Sequence, residues 1–186
     1  ANGAVAVLCE HVQDKHDEVP RLVVPDFLQA LAKLATWHRK TVTCPVIALT
    51  GSNGKTSVKE MIAAILPRPS LATQGNLNNH IGVPSTLLKL TPSHQAAVVE
   101  LGASRFGDIR WLTHVAHPTI GVLTNIGESH LEFLNDLNGV FKEKSEIVKN
   151  LPASGTARAS HRLDSASSQW FHRAEATRMP WPSRSN

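Results

Sequence analysis

Three runs of apolar residues stand out along the chain: Val46 to Leu49 (Val-Ile-Ala-Leu), Gln95 to Leu101 (Gln-Ala-Ala-Val-Val-Glu-Leu) and Thr119 to Leu123 (Thr-Ile-Gly-Val-Leu). None alternates apolar with polar, so each reads as a strand covered on both faces. Between and after them the period changes to three and four. Val58, Met61, Ile62, Ile65 and Leu66 predict one helix. Leu87, Leu88 and Leu90, after Pro84, predict another. Ile109, Leu112 and Val115 predict a third, and a last runs from about Asp136 to Leu151. Upstream, Gly3 to Leu8 and Arg21 to Val24 read as short strands around a polar loop at Gln13 to Glu18. Pro25 is expected in the first turn of a helix whose stripe is Phe27, Leu28, Leu31, Leu34 and Ala35, ending near Lys40. Strands alternating with helices imply an α/β fold with a parallel sheet and right-handed crossovers.

The turn after the first buried run carries the most chemistry. Thr50-Gly-Ser-Asn-Gly-Lys-Thr-Ser57 lies between a strand and a helix. Glycines there let backbone N–H groups converge on an anion, and the helix N-terminus adds a favourable dipole. Gly51, Ser52, Asn53, Gly54 and Ser57 form the cradle, Lys55 reaches the terminal phosphates and the Thr56 hydroxyl serves a magnesium ion. The general phosphate-loop pattern has a glycine where Leu49 stands. The bland reading is a solvated Lys55 in a structural turn.

Ligands of open parallel sheets bind beyond the carboxyl ends of the strands. The second run ends near Glu100, and the third runs into Thr124-Asn-Ile-Gly-Glu-Ser-His130. A phosphate loop, a carboxylate and an imidazole are therefore expected at one edge, a set that suits magnesium or manganese beside phosphates. Taken singly, Glu100 reads as a strand-end charge and His130 as a helix cap.

Composition narrows the partners. The net charge is +4, but up to Asn150 there are 14 basic residues against 13 acidic. From Leu151 onward there are 5 Arg, no Lys and 2 acidic residues. The body has no basic stripe with interleaved aromatics, which argues against nucleic acid. No apolar run approaches the roughly 20 residues of a membrane span. Cys9 and Cys44 have no metal-type spacing and fit a reducing cytoplasm. The chain opens Ala1-Asn2-Gly3, without a signal peptide or methionine, so the natural start is expected upstream. Residues 152–186 lack either period and hold two of the four tryptophans. They read as an irregular tail, translated out of frame or left by truncation, or else as a disordered extension.

Thr50 to Thr56, Glu100-Leu-Gly-Ala103 and Thr124 to His130 together resemble the central ATPase domain of the Mur ligases, which use a shorter Thr-Gly-x-x-Gly-Lys loop. Gly75-Asn-Leu-Asn-Asn-His-Ile-Gly-Val-Pro84 resembles the branch that adds D-Ala-D-Ala to a UDP-MurNAc-peptide. The likeness is expected from Gly3 to Leu151. It implies that residues 1–24 are the remnant of a uridine-nucleotide-binding domain. Residues 25–151 would be the N-terminal part of a P-loop-type ATP-binding domain. It also implies a cytoplasmic, monomeric, ATP- and Mg2+-dependent ligase that forms a peptide bond through an acyl phosphate. Lys55 is then the catalytic cation. Thr56, Glu100 and His130 serve the metal, and Asn125 helps hold ATP. Asn76, Asn78 and Asn79 face the muropeptide or merely shape the turn. The alternatives are another amide ligase of the folylpolyglutamate synthase kind and a non-catalytic nucleotide-binding remnant.

Lys144 falls inside the apolar stripe of the last helix, among Leu137, Val140, Phe141, Ile147, Val148 and Leu151, with Glu143 on the other side. It reads as a snorkelling side chain, as a buried ion pair with Glu100, or as an amine whose proton affinity burial lowers. The resemblance implies a carbamoylated lysine in the Lys-x-Glu-Ile context, at Lys144.

Overall fold

A computed structural model describes residues 3–11 and 19–159. Two short strands, β1 (Val7–Cys9) and β2 (Arg21–Val23), pair in parallel. Helix α1 (Phe27–Thr41) follows. Asp26, one residue after Pro25, caps it by accepting from the Gln29 N–H at 2.9 Å. The main sheet contains β3 (Val46–Thr50), β4 (Ser70–Ala72), β5 (Ala96–Glu100), β6 (Ile120–Leu123) and β7 (Thr156–Ala159). Its order is β4-β5-β3-β6-β7 and every pairing is parallel.

The order fixes where the helices lie. The step from β3 to β4 runs opposite to all later steps, so right-handed crossovers place α2 (Lys55–Ile65) on one face of the sheet. The remaining crossovers, α3 (Gly82–Leu87), α4 (Asp108–Ala116), α5 (Leu131–Leu134), α6 (Leu137–Lys144) and α7 (Glu146–Lys149), belong to the other side. The core lies on that second face. Val46 and Ala48 of β3 and Ala97 and Val99 of β5 meet Ala32 and Ala35 of α1, Leu87, Ile109, Leu112 and Ile147, all fully or nearly fully buried.

Four expectations change. In α1 the inward residues are Leu31, Ala32, Ala35 and Arg39, whereas Leu28 and Leu34 are exposed. In α2 the predicted apolar stripe is split: Met61 and Ile65 are 67% and 83% exposed, Val58, Ile62 and Leu66 are half-buried, and the fully buried residue is Lys59. The last predicted helix breaks at Ser145 into α6 and α7, and Glu143, placed outside by a continuous period, is buried. Residues 152–159 are not an irregular tail. Gly155 N–H donates to the Pro152 carbonyl at 2.7 Å, and Thr156 N–H to the Thr119 carbonyl at 2.9 Å. This turn feeds β7 onto β6. Among the described residues β7 pairs on one side only, with β6, so Thr-Ala-Arg-Ala suffices without an apolar signature. The rest of the expected tail, 160–186, lies outside the described residues.

Candidate functional site

The carboxyl ends of β3, β4, β5 and β6 lie side by side, as the parallel register requires. Beyond β3, the turn 51–54 passes through Gly54 in the left-handed region (φ 74°) into α2. The loop after β6 braces it. Ser52 N–H donates to the Asn125 carbonyl at 3.1 Å, and Asn53 N–H to Asn125 Oδ1 at 2.9 Å. Ser52 Oγ donates to the Gly127 carbonyl at 2.7 Å and accepts from Gly127 N–H at 3.0 Å. Thr124 Oγ1 donates to the Asn53 carbonyl at 2.9 Å. The fit leaves no room at Gly51, where a Cβ would stand 1.9 Å from Thr124 Oγ1.

Lys55 curls back over this loop. Its ammonium donates to the carbonyls of Gly51 at 2.8 Å and Ser52 at 3.3 Å. Burial lowers its proton affinity, and the Glu100 charge opposes that effect. The next residue reaches the neighbouring strand: Thr56 Oγ1 donates to Glu100 Oε2 at 3.1 Å. The other carboxylate oxygen, Oε1, accepts from Asn78 Nδ2 at 2.8 Å. Glu100 is only 2% exposed. Gly102 is pressed against Asn78, with N–H to the Asn78 carbonyl at 2.8 Å, so the 75–80 turn is keyed to the end of β5.

Not every expected residue joins this group. Asn79 Oδ1 accepts from Ile81 and Gly82 N–H and starts α3. Asn76 takes part in the turn through its carbonyl, which accepts from Asn78 N–H at 2.7 Å. His130 stands at the start of α5 with φ 52° and is exposed; among the described residues no hydrogen bond or ion pair joins it to Glu100. No cluster of three or more His, Cys, Asp or Glu among the described residues converges to hold an ion unaided.

Lys144 is 1% exposed, and its affinity for a proton is pushed down to about 8, first by burial and then by the charge of Lys55, against the pull of Glu143. Neither the snorkelling lysine nor the ion pair with Glu100 is found.

Glu143 is a residue that sequence reasoning missed. Its carboxylate accepts from Gly107 N–H and Ile109 N–H, both at 2.7 Å, and so caps α4 from another helix. The signal was present: α4 begins at Gly107, which has no side chain to cap its own helix.

A sequence model of the Mur ligase middle domain matches residues 49–179, well over half of the chain. The chain belongs to the Mur ligase family. The match runs past Leu151, where the likeness was expected to stop. Among individual Mur ligases, the UDP-N-acetylmuramoyl-tripeptide--D-alanyl-D-alanine ligase of Escherichia coli is 48% identical over 159 residues, 84% of this chain and 35% of that protein. The Bacillus subtilis ligase of the same name is 40% identical, with 82% and 34% covered. Among solved structures, MurF from Acinetobacter baumannii superposes with a TM-score of 0.82 at 38% identity, covering 91% of this chain and 37% of that one. MurF ligase from Thermotoga maritima, solved in complex with ADP, gives 0.83 at 32% identity, covering 93% and 40%. This chain therefore spans about a third of the length of the Mur ligases it resembles.

Proposed function

We propose that this chain is the nucleotide-binding part of an ATP-dependent ligase that joins D-Ala-D-Ala to a UDP-MurNAc-peptide. The observation that carries the reading is the Thr56–Glu100–Asn78 contact, which directly follows a braced phosphate loop. The names of the relatives support the choice of substrates, and the ADP complex of the Thermotoga maritima protein supports the nucleotide.

In this reading the backbone N–H groups of residues 51–56, the Ser57 hydroxyl and Asn125 hold the polyphosphate. Lys55 exchanges its two carbonyl partners for β- and γ-phosphate oxygens, which are stronger acceptors. The hydroxyl of Thr56 and the carboxylate of Glu100 form a hard oxygen pair suited to magnesium, with His130 as a further candidate. So sparse a protein donor set fits an ion whose shell is completed by phosphate oxygens and water. Bound there, magnesium would neutralise charge on the phosphates. The turn that carries Asn76, Asn78 and Asn79 would face the acceptor peptide, with Asn78 held by Glu100 and Asn79 by the start of α3.

The reaction requires a poor electrophile to be activated. A carboxylate oxygen of the acceptor attacks the γ-phosphorus as the bond to ADP breaks, giving an acyl phosphate. The amine of D-Ala-D-Ala then attacks the carbonyl carbon, loses a proton and expels phosphate. Charge gathers on phosphoryl oxygens, so positioning and fixed cations supply most of the catalysis. Lys144 has the attributes of a carbamoylation site: buried, with a fraction of neutral amine available near neutral pH. The ammonium first gives up one proton; the neutral amine then adds to carbon dioxide and loses a second, so a cation becomes a carbamate anion. Residues 1–24 belong to the preceding uridine-nucleotide-binding unit. The working place is the cytoplasm, where ATP and UDP-linked precursors are found, and the enzyme acts as a monomer. No helix among the described residues is long and apolar enough to cross a membrane.

Calorimetry with Mg-ATP tests the nucleotide site: binding by this chain, abolished in Lys55→Ala, is expected. Equal binding by both proteins would sink it. Turnover by the complete polypeptide, with ADP release dependent on both the UDP-MurNAc-tripeptide and D-Ala-D-Ala, tests the substrates.

A further inference from the structure

Lys59, on the second turn of α2, is 1% exposed. An ammonium at that depth needs partners, because an unpaired buried charge is costly. It has two: the Thr73 carbonyl at 2.9 Å and the Glu60 carboxylate at 2.8 Å. Glu60 is itself 66% exposed, so the fixed anchor is Thr73.

Thr73 directly follows β4 and is 2% exposed. Each of its polar groups is engaged. Its N–H donates to the Val98 carbonyl at 3.0 Å, its carbonyl accepts from Lys59, and its hydroxyl oxygen accepts from Glu100 N–H at 2.9 Å. Glu100 returns to α2 through Thr56 at 3.1 Å. The contacts close a ring: from α2 to the end of β4, to the end of β5, and back to α2 one turn earlier.

We propose that Lys59 is a positioning residue for the metal–nucleotide site. Its ammonium fixes Thr73, the Thr73 hydroxyl fixes the Glu100 backbone, and Glu100 is thereby held where its carboxylate and the Thr56 hydroxyl serve one divalent cation. The inference rests on the functional reading above. A lysine that merely joined α2 to β4 would contribute stability and leave the coupling between metal and nucleotide untouched.

The test is calorimetric titration of the 186-residue chain with ATP, once in excess Mg2+ and once in EDTA. The proteins compared are the wild type, Lys59→Met, Lys59→Arg, Thr73→Val and the Lys59→Met/Thr73→Val double variant. The Mg2+-dependent gain in affinity should fall about tenfold or more in Lys59→Met and in Thr73→Val, with affinity in EDTA unchanged. The double variant should be no worse than either single one, because both cut the same ring. Lys59→Arg, which keeps a donor, should retain the gain. If Lys59→Met does not fold, Thr73→Val carries the test, since it removes only the hydroxyl link. An undiminished gain in both single variants, or a parallel fall in both media, overturns this inference alone. A wild-type chain with no Mg2+-promoted binding overturns the functional reading with it.

Discussion

Replacing Lys144 by methionine should stabilise the protein at neutral pH. The lysine is 1% exposed, and its proton leaves near 8 instead of the ordinary 10.5. At about 1.4 kcal/mol per tenfold change in proton affinity, keeping it charged costs the fold about 3 kcal/mol below pH 8. The sign follows from proton counting. Between pH 8 and 10.5 the unfolded chain binds more protons than the folded one, so stability rises with pH through that window. Below 8 the cost is fully present; above 10.5 it is gone. Methionine keeps the length of the stem and carries no charge. Urea unfolding of both proteins at pH 6.5 and near pH 10, in metal-free and carbon dioxide-free buffer, reads the difference directly. The variant should be more stable by about 2–3 kcal/mol at the lower pH, and the two should converge at the higher. A variant less stable at pH 6.5, or a gap that ignores pH, would refute the argument that the ammonium is held against its solvation.

Gly51→Ala should destabilise the chain by about 1–3 kcal/mol and weaken Mg-ATP binding, because its Cβ would collide with Thr124 Oγ1. Adding Thr124→Ala should recover part of the loss in the same thermal and binding assays. Glu143→Ala strands the buried N–H of Ile109 and the part-buried N–H of Gly107 at the start of α4 and should cost about 1–3 kcal/mol in urea unfolding. Faster amide exchange at Gly107 and Ile109 should accompany it. In the complete enzyme, Lys144→Ala should depress turnover, and added bicarbonate should restore none of it.

The strands that carry the site were legible because each is an unbroken apolar run in mid-sheet. β4 and β7 were not, since Ser-Leu-Ala and Thr-Ala-Arg-Ala become strands only by pairing with β5 and β6. The phosphate loop and Glu100 could be placed from the strand ends alone. The buried face of α2 could not, because chemistry overrides its apolar period. Once Thr56 must reach Glu100, Lys59, three residues on, shares that face, while Met61 and Ile65 turn about 140–180° away from it. Likewise Glu143 is hidden from any single-helix pattern, since its partners lie 34 and 36 residues upstream.

The brace between the phosphate loop and the loop after β6 joins residues 71 to 77 positions apart in the chain. Such a contact forms only after a long loop has closed, and closure of this kind is slow compared with local helix formation. Competence to hold a nucleotide should therefore arrive late. A nascent chain emerging N-terminus first would display the glycine-rich turn early, yet keep it slack until the segment around Ser129 had emerged and β6 had docked. ATP would then select chains whose central sheet is already complete, and its binding during synthesis would serve as a readout of folding progress.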